Sequence, residues 1–88
     1  MNEFETKMRA RLAVLDPVQL KIIDESHKHA GHAGAREGGG HYVLHIVSAQ
    51  FAGNSTVARH RMIYSALGEL MKREIHALTI QAHAPNEI

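Results

Sequence analysis

Over the first fifteen residues, apolar side chains return every three or four positions: Phe4, Met8, Leu12 and Leu15, with Glu3, Glu5, Lys7, Arg9 and Arg11 among them. That period predicts an amphipathic helix over 2–15. Asp16-Pro17 ends it, because proline disfavours helical backbone in the residue before it. From 18 to 24 the period shortens to two, Leu20 and Ile22 alternating with Gln19 and Lys21, which predicts a short strand. Periodicity is lost from 25 to 40, where His27, His29 and His32 stand among glycines and the run ends in Gly38-Gly39-Gly40. Alternation returns over 41–48, with Tyr42, Leu44 and Ile46 on one side and Val43, His45 and Val47 on the other. This second strand is expected to form a hairpin with the first.

Phe51-Ala52-Gly53 turns the chain, and Asn54 or Ser55 offers an N-cap. A second helix is expected over 56–73, its apolar stripe made of Ile63, Ala66, Leu67, Leu70 and Met71, with Arg61, Ser65, Glu69 and Lys72 facing water. A third strand is expected over 77–82, Leu78 and Ile80 pointing inward, before a polar tail, 83–88, that contains Pro85. A strand–helix–strand crossover is right-handed and makes the second and third strands parallel. The expected fold class is therefore α/β: a two-layer sandwich in α-β-β-α-β order, with a three-stranded mixed sheet covered by helices on one face.

Eighty-eight residues make one domain, 1–88, and 44% hydrophobic content is enough for its single core. The long histidine- and glycine-rich stretch, 25–41, reads as a flexible loop. There is no cysteine, so neither a disulfide nor a thiolate ligand is available, which fits a reducing compartment. The first residues lack the apolar core of a signal peptide, and no run approaches the roughly 20 apolar residues that span a bilayer. A cytoplasmic protein with no membrane association is expected.

The net charge of +1 gives little electrostatic pull toward nucleic acid, but the eight histidines are not in that count. Loading all eight with protons would raise it to about +9. Eight imidazoles in so short a chain point to metal binding or pH sensitivity. Catalytic patterns are missing: no nucleophile elbow, no Walker or dinucleotide motif, and Asp24-Glu25 is an adjacent pair rather than a spaced one. An enzyme with a small-molecule substrate is not expected.

Phe51-x-Gly53, then Arg59-His60-Arg61-Met62-Ile63-Tyr64, then Ile75-His76-Ala77-Leu78 together resemble the signature of the BolA family. The resemblance extends over nearly the whole chain, through the helix-Asp-Pro-strand opening, Glu25-Ser26 and His41-Tyr42. It implies a class II KH-like fold, which agrees with the element order above. It also implies a role as a transcriptional regulator of cell shape and stress response, and as a partner of monothiol glutaredoxins in a heterodimer bridged by a [2Fe-2S] cluster.

In that arrangement the family supplies a C-terminal histidine, matched here by His76, and a second ligand from the loop between the first two strands. No cysteine stands there, so the resemblance implies a histidine; His29 is the best positional match, with His27, His32 and His41 competing. Neutral imidazole suits iron, and replacing thiolates by histidines raises a cluster's potential. A chain without thiols supplies half a site and needs a partner to complete it. Each position also has a plainer reading: His76 as a histidine favoured by a helix C-terminus, the loop histidines as solvated side chains. His45, on a strand, reads as a sheet-face residue.

Arg59, His60 and Arg61 at the start of the second helix, with Lys72 and Arg73 further on, suit phosphate contact, so DNA is a second candidate partner. The alternative is that Arg59 or His60 packs to fix the fold. The Gly-x-x-Gly loop with which KH domains clamp nucleic acid does not stand between two helices here.

Overall fold

A computed structural model describes residues 3–25, 40–73 and 75–88; for Arg73 and His76 the description is confined to the backbone. Of the loop expected over 25–41, residues 26–39 lie outside the described residues, while Gly40 and His41 belong to a strand. The first helix, α1 (Glu3–Leu12), is shorter than its period suggested, and Ala13–Leu15 tightens into a 3-10 turn. Asp16 ends that turn with φ 48°, a left-handed conformation that aspartate tolerates better than most side chains. Strand β1 (Gln19–Asp24) follows, then β2 (Gly40–Val47).

The expected second helix is two pieces. The first, α2 (Thr56–Leu67), is capped by Ser55, whose hydroxyl accepts the Ala58 N–H at 3.1 Å. It stops at Gly68, which takes φ 54° while its N–H still bonds the Tyr64 carbonyl. A side chain would be strained in that conformation, so glycine is what permits the break. One short turn, α3 (Leu70–Arg73), leads into β3 (Ile75–His83), longer than the alternation alone indicated. The tail is ordered as a 3-10 turn, Pro85–Glu87.

The sheet order is β1-β2-β3, with β2 antiparallel to β1 and parallel to β3, the mixed sheet expected from the connections. Leu44 and Ile46 are fully buried and Tyr42 nearly so, which fixes the inner face of β2. Met8 and Leu12 of α1 and Ile63 and Leu67 of α2 close over that face, with Phe51 filling the end of the core. Phe4 packs against Tyr42 with ring centroids 5.2 Å apart and planes tilted by 42°, tying α1 to the central strand near its start.

Ser48 is the buried polar residue of this core. Its hydroxyl donates to the Leu15 carbonyl at 2.6 Å and accepts the Gln50 N–H at 3.1 Å. One hydroxyl thus joins the end of the first helical segment to the turn that leaves β2, satisfying two backbone groups at once.

Candidate functional site

Because β2 and β3 run parallel, their first residues lie at one end of the sheet. Gly40 is opposite Ile75 and His41 is opposite Ala77, so His76 is an extra residue between two register positions, a bulge in β3. His41 and His76 therefore occupy adjacent strands, which run about 4.8 Å apart. His41 is half-buried on the sheet face away from the helices, and its carbonyl accepts the Glu25 N–H at 2.8 Å. That bond holds the described residues on either side of 26–39 together at this corner. His27, His29 and His32 belong to that segment and lie outside the described residues. Of the expected ligands, then, the backbone brings His41 and His76 to one end of the sheet.

Among the described residues no group of three histidine or carboxylate side chains is placed to hold a metal ion. The donor chemistry is nitrogen and oxygen only, since the chain has no cysteine. These residues fit a centre whose sulfur donors come from another molecule; among the described residues none builds a complete shell alone. His45 lies further along the same outer face, opposite Lys21 and Gln81, as expected of a sheet-face residue.

The basic helix start is built differently from the sequence expectation. Arg59 donates from Nε to the Asn54 carbonyl at 2.9 Å and from Nη1 to the Ala82 carbonyl at 3.0 Å. The same guanidinium grips the Glu87 carboxylate through two bonds, 2.6 and 2.7 Å long. Four of its five N–H groups are committed within the fold, so Arg59 locks the tail to α2 instead of waiting for a phosphate. The bidentate geometry is the strong form of such a pair. Glu87 also accepts the Ala84 N–H at 3.1 Å. Donation from Arg59 and then from Ala84 holds the Glu87 carboxyl down at about 2, against an ordinary value of 4.5.

Of the other basic residues, Arg61 and Lys72 are exposed, and His60 is half-buried with its ring edge-on to Tyr64 at 6.4 Å. Arg73 is on α3, where its backbone alone is described. Glu87 was missed by reading the tail as merely polar. The signal was present: Pro85 opening a turn, with an acidic residue two places on, is a helix-start pattern able to cap the preceding backbone.

Three α-helices among the described residues, packed with a three-stranded mixed sheet that carries histidines at its edge and open face, define a small α/β domain of the class II KH-like kind. The chain belongs to the BolA-like protein family, whose model matches residues 12–87. It is 47% identical to SufE-like protein 1, chloroplastic/mitochondrial, of Arabidopsis thaliana over 84% of the chain but 21% of that protein. The solved BolA domain of that protein superposes with a TM-score of 0.85 at 43% identity, covering 100% of this chain and 99% of the domain. Protein BOLA1, chloroplastic, from the same plant is 41% identical over 93% of the chain and 54% of its own length. The chain thus spans a fifth to a half of these two relatives. The DNA-binding transcriptional regulator BolA of Escherichia coli is 37% identical, over 98% of the chain and 76% of the regulator. Among the described residues no helix is long and apolar enough to cross a membrane.

Proposed function

We propose that this BolA domain is an adaptor that pairs with a monothiol glutaredoxin and lends histidine nitrogen to a shared [2Fe-2S] cluster. The observation that supports it is the corner of the sheet where the starts of β2 and β3 meet, with His41 and His76 on neighbouring strands. Glu25 and His41, which flank the stretch carrying His27, His29 and His32, are bonded at the same corner. His76 would be one ligand, and His29 or His41 the second. Bound there, the cluster would supply one-electron redox chemistry and a colour that reports its ligands. What the chain itself would do is present imidazoles at a sheet corner and leave the thiolates to the partner.

The test is to mix the chain with a monothiol glutaredoxin carrying a cluster and follow the visible spectrum and the complex mass. The wild-type chain should give a heterodimer with a spectrum unlike that of the glutaredoxin alone. His76→Ala should remove that spectral change and weaken the complex. A mutant spectrum identical to the wild-type complex would end the ligand assignment.

A second reading is favoured by the likeness to the Escherichia coli regulator: binding of DNA in the control of stress and cell-shape genes. With Arg59 committed to Glu87, the phosphate contacts would fall to Arg61, Lys72, Arg73 and His60. So few contacts give weak binding that falls steeply with salt. In a gel-shift series, Arg61→Ala with Lys72→Ala should weaken binding for every sequence alike. No shift even at the lowest salt would reject this reading.

A further inference from the structure

The two edges of the sheet are treated differently. Strand β1 carries Lys21 and Asp24, and Arg9 of α1 donates to its Leu20 carbonyl at 3.3 Å. Charges on an edge strand and side chains that occupy its carbonyls are the ordinary protections against unwanted strand pairing. Strand β3, the other edge, has no lysine, arginine, aspartate or glutamate from Ile75 to His83. Among the described residues it is protected at its ends, by the bulge at His76 and by Arg59 on the Ala82 carbonyl.

The alternation of the backbone says which groups face outward between those guards. Ser48 N–H bonds the His83 carbonyl, so His83 turns its backbone toward β2. Ala82, Ile80 and Leu78 then turn theirs away from β2, as the Arg59 bond to Ala82 independently requires. Among the described residues no strand pairs with that side. Leu78 and Ile80 are half-buried and pack at the margin of the core, while Thr79 and Gln81 are exposed on the opposite face.

From this we infer that β3 is a self-association edge, on which a second copy of the chain pairs antiparallel about a two-fold axis through Thr79. The register follows from the outward groups. Leu78 would exchange both backbone hydrogen bonds with Ile80 of the second copy, and Ile80 with Leu78, giving four bonds in all. Thr79 faces Thr79 across the axis, a favourable cross-strand pair, and Leu78 meets Ile80 on the inner face so that the two cores become continuous. The segment suits pairing with its own copy because it carries no lysine, arginine, aspartate or glutamate, so the two-fold register sets no like charges opposite each other. The paired segment is short, so the dimer is weak and its population rises with concentration. This assembly does not depend on the histidine reading above.

The absence of cysteine makes the register directly testable. Thr79→Cys would bring two thiols together at a non-hydrogen-bonded antiparallel position, where Cα atoms lie about 4.5 Å apart, within disulfide range. Gln81→Cys, on the same exposed face, is the control: its two copies would be about 14 Å apart, since each faces Ala77 of the other. Both variants should keep the wild-type circular dichroism. Under mild oxidation Thr79→Cys should form covalent dimer at least about ten-fold faster than Gln81→Cys, the control being beyond bonding reach. Thr79→Lys, which sets two ammonium groups against each other, should remove any concentration-dependent mass increase in sedimentation. Equal crosslinking rates would overturn the inference, including the case in which the wild-type chain dimerises through some other surface.

Discussion

Phe51→Ala should destabilise the domain by about 3–5 kcal/mol, the usual cost of emptying a fully buried aromatic site. Phe51 is 0% exposed and packs in one cluster with Ile46, Ile63 and Leu67, where strand, turn and helix meet. The site cannot collapse easily, because the Ser48 hydroxyl fixes the start of the turn against Leu15. Small domains have total stabilities of about 5–15 kcal/mol, so this one substitution would remove much of the margin. Urea denaturation followed by circular dichroism should show a midpoint shift of matching size, with Phe51→Leu retaining most of the stability. A loss below about 1 kcal/mol would mean that Phe51 is not the plug that its burial indicates.

Arg59→Ala should release the tail and lower the melting temperature, while Arg59→Lys, which keeps the charge but loses the fork, should recover only part of it. The pH dependence follows from the Glu87 carboxyl, held at about 2 in the folded chain against 4.5 ordinarily. A group whose folded value is depressed contributes its full stability above its unfolded value and loses it as pH falls toward the folded one. The wild-type chain should therefore lose this contribution progressively between about pH 4.5 and 2. In Arg59→Ala that slope should shrink, and the Glu87 carboxyl should titrate nearer its ordinary value by carbon-detected NMR. His83, with its Nδ1 4.0 Å from the same carboxylate, is the other titratable neighbour, so a parallel His83→Gln variant separates its share. An unaltered Glu87 titration in Arg59→Ala would show that the fork does not hold the tail in solution.

Arg59 also shows why a conspicuous cation can mislead. In the sequence it stands beside His60 and Arg61 at a helix start, where a phosphate would be welcome. In the fold it finds an anion already supplied by the chain, 28 residues away. No local pattern links those two residues; their meeting depends on where β3 ends relative to α2. Gly68 is a milder case. The apolar stripe continues through Leu70 and Met71, so periodicity runs straight across a glycine at which the backbone turns.

The sequence by itself determined the element order, the inner face of β2 through Tyr42, Leu44 and Ile46, and the membership of most of the core, because periodicity is a local consequence of which face is dry. It also carried the family, through Arg59-His60-Arg61 and His76-Ala77-Leu78. Only the tertiary structure decided that His41 and His76 share a corner, that Arg59 is taken by Glu87, and that β3 is an edge without charges. Each of those rests on which distant segments become neighbours, and that is set by the packing of the whole chain, not by the spacing within any one stretch.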